Sequence, residues 1–206
     1  MRYIDPKLAQ NYKSTFISSE KDQEAIWKKL FVESYPYSDK LKRLLIINTP
    51  DCLDETQYQY AEYINKFSLK DLRDKGYLRV TPRYELGEHE EAMAYILLSF
   101  DDFVPTSNPQ YRDCTIYFTI ICNLDHWELD DYKIRPLQIA GYIDGILNEA
   151  RLSGIGTLHF MGASQIVFNE NLGGVMLGYL ATHGEDDVGD KVESNWPSPD
   201  PVPKQF

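Results

Sequence analysis

A ten-residue run, 114–123, constrains this chain more than any other stretch. It is almost entirely β-branched or aromatic, with Cys114 and Cys122 near its ends. That composition predicts a strand apolar on both faces, which only a buried sheet position satisfies. After a polar, acidic turn, residues 134–150 carry Leu137, Ala140, Ile143, Leu147 and Ala150 at three- and four-residue steps. This is the stripe of an amphipathic helix. Glycines at 154 and 156 then break the chain. Residues 157–168 and 174–183 read as two further strands around a 169–174 turn containing Asn169, Gly173 and Gly174. Strand, helix, strand, strand makes a small α+β core: a mixed or antiparallel sheet with one main amphipathic helix packed on it.

The preceding residues add helices. Ser19 and the acids after it open a helix whose apolar face is Ala25, Ile26, Trp27, Leu30 and Phe31. Residues 44–47 are a short apolar run, read as a strand. Residues 57–67 have helical spacing. Residues 68–74 form a second short helix, capped by Ser68 and closed by Gly76. Residues 77–81 alternate and stop before Pro82, as a strand does. Residues 85–91 read as a loop, 92–100 as a long strand, and 103–112, with two prolines, as a surface loop. Met1 to Ser19 has no periodicity and reads as an arm. Residues 196–203 hold four prolines in eight positions, which forbids a helix or a central strand. The expected division is a helical extension with a short strand over 1–76, the α+β core over 77–187, and an extended Pro-rich tail over 188–206.

Charge and motifs narrow the function. Across 206 residues the formal net charge is −11, which argues against gripping nucleic acid, since that needs clustered Lys and Arg. Fifteen tyrosines supply rigid amphipathic area suited to contact surfaces or to the edges of a core. Cys52, Cys114 and Cys122 form an odd, sparse set. On one strand, Cys114 and Cys122 stand roughly 26 Å apart and cannot bridge, so a reducing compartment is expected. No apolar stretch reaches the length of a membrane span, and no secretory signal pattern is present. Phosphate loops, dinucleotide fingerprints and nucleophile elbows are absent from the sequence. None of His89, His126, His159 and His183 lies four residues from another, so no helical metal pair exists. His159 and His183 could approach across strands, with a hydrogen-bonded structural role the preferred reading. The aspartate pairs 101–102, 130–131 and 186–187 lack a calcium-loop spacing. No catalytic, cofactor-binding or metal-binding residue is expected.

The second half resembles the tail-terminator or tail-completion (neck) proteins of long-tailed bacteriophages. The residues that carry the resemblance are 95–103, 108–113, 114–123, 135–144 and 152–158, completed by the 174–183 strand and the acids after it. It covers residues 77–187 and rests on a succession of elements, with no catalytic signature. What it implies is a virion protein forming a homo-oligomeric ring, commonly hexameric, at the head-proximal end of the tail tube. Such a ring stops tube polymerisation and contacts the neck. Implied partners are copies of itself, the tube protein and neck proteins. DNA passes through the lumen unbound, no membrane or cofactor is involved, and an acidic chain suits such a channel. Asn108, Tyr111, Arg112, Trp127, Arg135 and Trp196 are the subunit-interface candidates. For each an internal role stands beside that one: a turn at Asn108, an ion pair to Asp113 or Asp102 for Arg112, and core closure for Trp127. Arg135 opens a helix, where a cation is unfavourable, so a partner elsewhere is expected. A head-completion or connector protein is the alternative within the class, and a small-molecule enzyme or binding domain the alternative outside it.

Overall fold

A computed structural model describes residues 19–80, 94–106 and 111–184. The described residues open with α1 (Ser19–Lys28), which widens into one π-helical turn over Lys29–Glu33. Ser34 closes that turn by donating its hydroxyl to the Lys29 carbonyl at 2.6 Å. Ile26, Trp27, Leu30 and Phe31 are all buried, as the apolar spacing requires. Three helices follow: α2 (Tyr37–Ile46), α3 (Tyr58–Ile64) and α4 (Leu69–Asp74). The start of α4 is a full capping box. Ser68 accepts from the Asp71 amide, and the Asp71 carboxylate accepts from the Ser68 amide at 2.8 Å. Gly76, at φ +80°, follows the helix end and takes the left-handed conformation that a glycine supplies without strain.

The sheet has five strands in the order β1-β2-β3-β7-β6. They are β1 (Leu78–Arg79), β2 (Ala94–Pro105), β3 (Tyr111–Asn123), β6 (His159–Val167) and β7 (Leu172–Gly184). β1 is parallel to β2; every other neighbour is antiparallel. The single long helix of the second half is α5 (Arg135–Leu147). A minor two-stranded ribbon, β4 (Arg151–Leu152) with β5 (Gly156–Thr157), lies between α5 and β6. The fold is α+β.

β3 is the centre. Ile116, Phe118, Ile120 and Cys122 lie on one face with Ile96 and Leu98 of β2 and Val175, Leu177 and Tyr179 of β7, and all are buried. The helices cover this face. Trp27 meets Phe118 edge-on at 6.4 Å between ring centroids, and Phe118 meets Tyr179 at 5.8 Å. The opposite face of β2 and β3 buries Tyr95, Leu97, Thr115, Thr119 and Ile121, so β3 is buried on both sides as its composition predicts. One core cluster joins Ile26 through Leu78 to the sheet and α5. Burying its roughly forty apolar side chains supplies the dominant stabilising term.

Four sequence expectations need correction. Residues 44–47 are no strand; Leu44 to Ile46 end α2, with Ile47 its cap, and Leu41, Leu44 and Leu45 form the buried i, i+3, i+4 face. A four-residue apolar run does not distinguish the two states by itself. Residues 103–112 are not a continuous loop, because β2 runs to Pro105 and β3 begins at Tyr111. A register shift between Asp101 and Val104, with Asp102 at φ +52°, lets β2 continue past the acid pair as a bulge does. The stripe of α5 is rotated and shorter than expected. Ile139, Ala140, Ile143, Ile146 and Leu147 are buried, Leu137 faces outward, and the helix stops before Ala150. Finally, the 169–174 reversal is tighter. Asn169 Oδ1 accepts from the amides of Asn171 and Leu172, and Gly173 and Gly174 belong to β7. The 85–91 loop, the arm before Ser19 and the Pro-rich tail lie outside the described residues.

Candidate interaction surface

Arg135 organises the end of the molecule where β3, α5 and α2 meet. It is 1% exposed. Its Nε donates to the His126 carbonyl at 2.7 Å, its Nη1 to Leu44 O at 2.7 Å and Ile47 O at 2.8 Å, and its Nη2 to Thr49 O at 3.0 Å. The electrostatics are those of two helix ends. A cation is unfavourable at the start of α5 but favourable at the end of α2, whose last carbonyls lack helical partners. A planar fork with five N–H donors serves several of them at once. Arg135 thus finds its partners within the chain, buried and away from the surface where an interface residue was expected.

The same junction carries further ties. His126 Nδ1 lies 3.1 Å from the Asn48 carbonyl, and the Asp130 amide donates to Pro50 O at 3.1 Å. A short 3-10 turn, Leu124–His126, is capped by Asn123, whose side chain accepts from the Asp125 amide at 2.9 Å. Trp127 is half-buried and packs on the core. Its ring lies so close to Gly173 that a Cβ there would sit 2.9 Å from Cζ3. Gly174 has even less room: a Cβ would overlap the Ile120 carbonyl of β3. The glycine pair therefore serves close strand and ring packing, not the reversal that its sequence neighbourhood implied.

Arg112 is half-buried on β3 opposite His183 of β7. Tyr111 stands at the start of β3, with its side chain outside the described set; Asn108 and Trp196 also lie outside it. The candidates are therefore not brought together in one patch: Arg112 and Trp127 lie toward opposite ends of the 13-residue β3. His159 Nδ1 is 3.1 Å from Glu149 Oε1 in an exposed pair, a modest surface contact.

Sequence reasoning missed the exposure of the strand β6. Its sequence, from His159 to Val167, contains no Asp, Glu, Lys or Arg. Phe160, Met161 and Val167 are 43, 59 and 78% exposed, and Leu180 of neighbouring β7 is exposed beside His159. Among the described residues β6 pairs only with β7, and its outer edge is the end of the sheet they form. Edges normally carry a charge, a proline or a bulge against unwanted pairing. β6 has one irregularity, between Phe160 and Gly162, and no charge along its length. The missed signal was an uncharged nine-residue strand in a chain whose charged fraction is 26%.

A second apolar area lies on α5 and α2. Tyr37 and Tyr142 meet at a tilt of 40°, 5.8 Å between ring centroids, beside exposed Leu137, and with Gln138, Gly141 and Gly145 they line a shallow groove of about 280 Å³. Elsewhere burial pushes the thiols of Cys114 and Cys122 up to about 11 and about 12. Burial also raises the Tyr179 phenol, with help from the Asp144 carboxylate that accepts its hydrogen bond at 2.9 Å. These are free, buried thiols and a structural phenol. Among the described residues, no group of three His, Cys, Asp or Glu is disposed to hold a metal, and no helix is long and apolar enough to cross a membrane.

The described residues define an α+β fold with helices on one face of its sheet and, at one edge, a strand without Asp, Glu, Lys or Arg. Residues 38–180 match the model of the YomW family, and the chain belongs to that family. The match crosses from α2 to β7 and so includes helices ahead of the sheet as well as the sheet itself. YomW is phage-associated, and membership points to a phage-related protein. No curated protein matches the chain.

Proposed function

We propose that this protein is a structural component of the virion, the subunit of a ring at the head-proximal end of a phage tail. The ring ends polymerisation of the tail tube and joins the tail to the neck. The observation that carries this reading is β6: a nine-residue edge strand, exposed at seven of its nine positions and without Asp, Glu, Lys or Arg, in a chain of net charge −11. Copies of so acidic a chain repel one another over most of their surface. A neutral apolar edge is where they meet at least electrostatic cost, and with hydrogen-bonding groups to share. Membership of the YomW family supports the phage context.

On this reading the protein works by shape. No bond is made or broken and no cofactor takes part. Its partners are copies of itself in a ring, six by the family resemblance, together with the tube and neck proteins. DNA passes through the lumen without specific binding. Imaging of particles from a phage lacking the gene tests the assignment. Tails of irregular length support termination of the tube. Particles of normal length, joined normally to their heads, overturn the assignment.

A further inference from the structure

We infer that the Pro-rich segment 196–203 docks, as an extended polyproline strand, in the groove between α2 and α5 of its own chain, with Trp196 at the Gly145 end. The inference names the occupant of that groove and does not depend on the ring reading.

The chemistry of the groove carries it. Tyr37 is 50% exposed and Leu137 43%, while Tyr142 is partly buried and packs on the core. The two rings, tilted by 40° to each other, make an angled aromatic wall. Gly141 and Gly145 leave the floor bare: among the described residues nothing lies within 4 Å of a Cβ built at either. No lining residue carries a charge. Aromatic-lined grooves of this kind take proline-rich segments, because such a segment is already extended and loses little freedom on docking. Its carbonyls have no partner of their own, and the two phenols and the Gln138 amide are donors along the groove.

The occupant follows from the sequence. Residues 196–203 hold four prolines, one Trp and a single charge, Asp200. The stretch before them, 185–193, has five acids against one lysine and suits an uncharged groove badly. The arm before Ser19 has one proline, Pro6, among Arg2, Asp5, Lys7 and Lys13, and offers no such segment.

Reach fixes the direction. Tyr179, five residues before the end of β7, donates to Asp144, the neighbour of Gly145. Strand, side chains and hydrogen bond together place Gly145 within about 35 Å of Gly184. The eleven residues 185–195 span at most about 36–40 Å. Trp196 therefore reaches Gly145, and the prolines after it run along α5 towards Leu137. A tether this short supplies an effective concentration on the order of millimolar, so even a weak contact stays occupied.

The test uses the full chain with p-benzoylphenylalanine in place of Leu137, irradiated and mapped by mass spectrometry. Mixing isotopically labelled and unlabelled protein separates contacts within a chain from contacts between copies. Adducts within the chain on residues 197–203 are expected. Adducts on the arm, on another copy, or on no residue overturn the docking. In parallel, acrylamide quenching reads Trp196, with a Trp196→Phe protein used to subtract Trp27 and Trp127. Gly145→Arg fills the floor where a side chain has room. Replacing Pro197, Pro199 and Pro201 together by Gly removes the extended preference and leaves the described fold untouched. Each variant should raise the Trp196 quenching constant at least threefold with an unchanged circular dichroism spectrum. Either variant quenching as the wild type does contradicts the docking.

Discussion

Arg135 Nη1 donates to the carbonyl oxygen of Leu44 at 2.7 Å, across 91 residues of sequence. That bond, with those to Ile47, Thr49 and His126, fixes the end of α2 against the start of α5. Replacing Arg135 by Ala leaves buried carbonyls unpaired and opens a cavity. The expected loss is about 3–5 kcal/mol of unfolding free energy. Lys retains the charge without the fork and should recover only part of it. Urea unfolding followed by circular dichroism measures both variants. A loss below about 1 kcal/mol for Arg135→Ala contradicts the structural role.

Two glycine substitutions should act in opposite directions. Gly141 lies within α5, where a Cβ meets nothing within 4 Å. Gly141→Ala should stabilise by about 1 kcal/mol, since Ala loses less backbone entropy in a helix. At Gly174 the added Cβ meets the backbone of Ile120, which cannot move without breaking the β3–β7 ladder. Gly174→Ala should cost more than about 3 kcal/mol. Melting temperatures of the two variants check the pair, and a stable Gly174→Ala protein refutes the close strand approach.

Alkaline pH should destabilise the protein through buried acids that resist ionisation. Burial holds Cys114 at about 11 and Cys122 at about 12, against 9.0 for an ordinary thiol. The Tyr179 phenol is also raised, by burial and by Asp144. A raised folded pKa stabilises fully below the unfolded value. That stability is lost as pH climbs, because the unfolded chain releases its protons first. The window opens near pH 9 and closes at about 11–12. Within it each thiol removes about 1.4 kcal/mol per pH unit. Urea midpoints should be level from pH 7 to 8.5 and fall above pH 9. The double variant Cys114→Ala and Cys122→Ala should flatten that fall. A midpoint indifferent to pH up to 10.5 argues against burial of these groups.

Much of the fold was legible because local and tertiary preferences agreed. The 114–123 run could only be a buried strand. Ser68 with Asp71, followed by Gly76, marks both ends of α4. What escaped was decided by contacts distant in sequence. The 44–47 run became helix because Leu41, Leu44 and Leu45 share a buried face, and because Arg135 satisfies that helix's last carbonyls. The awkward placement of a cation at the start of α5 was visible beforehand, but the identity of its partner was not. Gly173 and Gly174 resemble turn residues in sequence, and only Trp127 and Ile120 in space explain them. The exposure of β6 was hidden for a related reason: an uncharged strand reads as core until the sheet order places it at an edge.

The central claim is that this subunit functions by meeting copies of itself. Sedimentation velocity of the purified full-length protein, with negative-stain imaging of the same sample, tests that claim most directly. The account predicts a discrete species several times the 23.9 kDa subunit mass, seen as closed rings alone or once tube protein is added. A single monomeric species under both conditions, with no rings in any field, contradicts it.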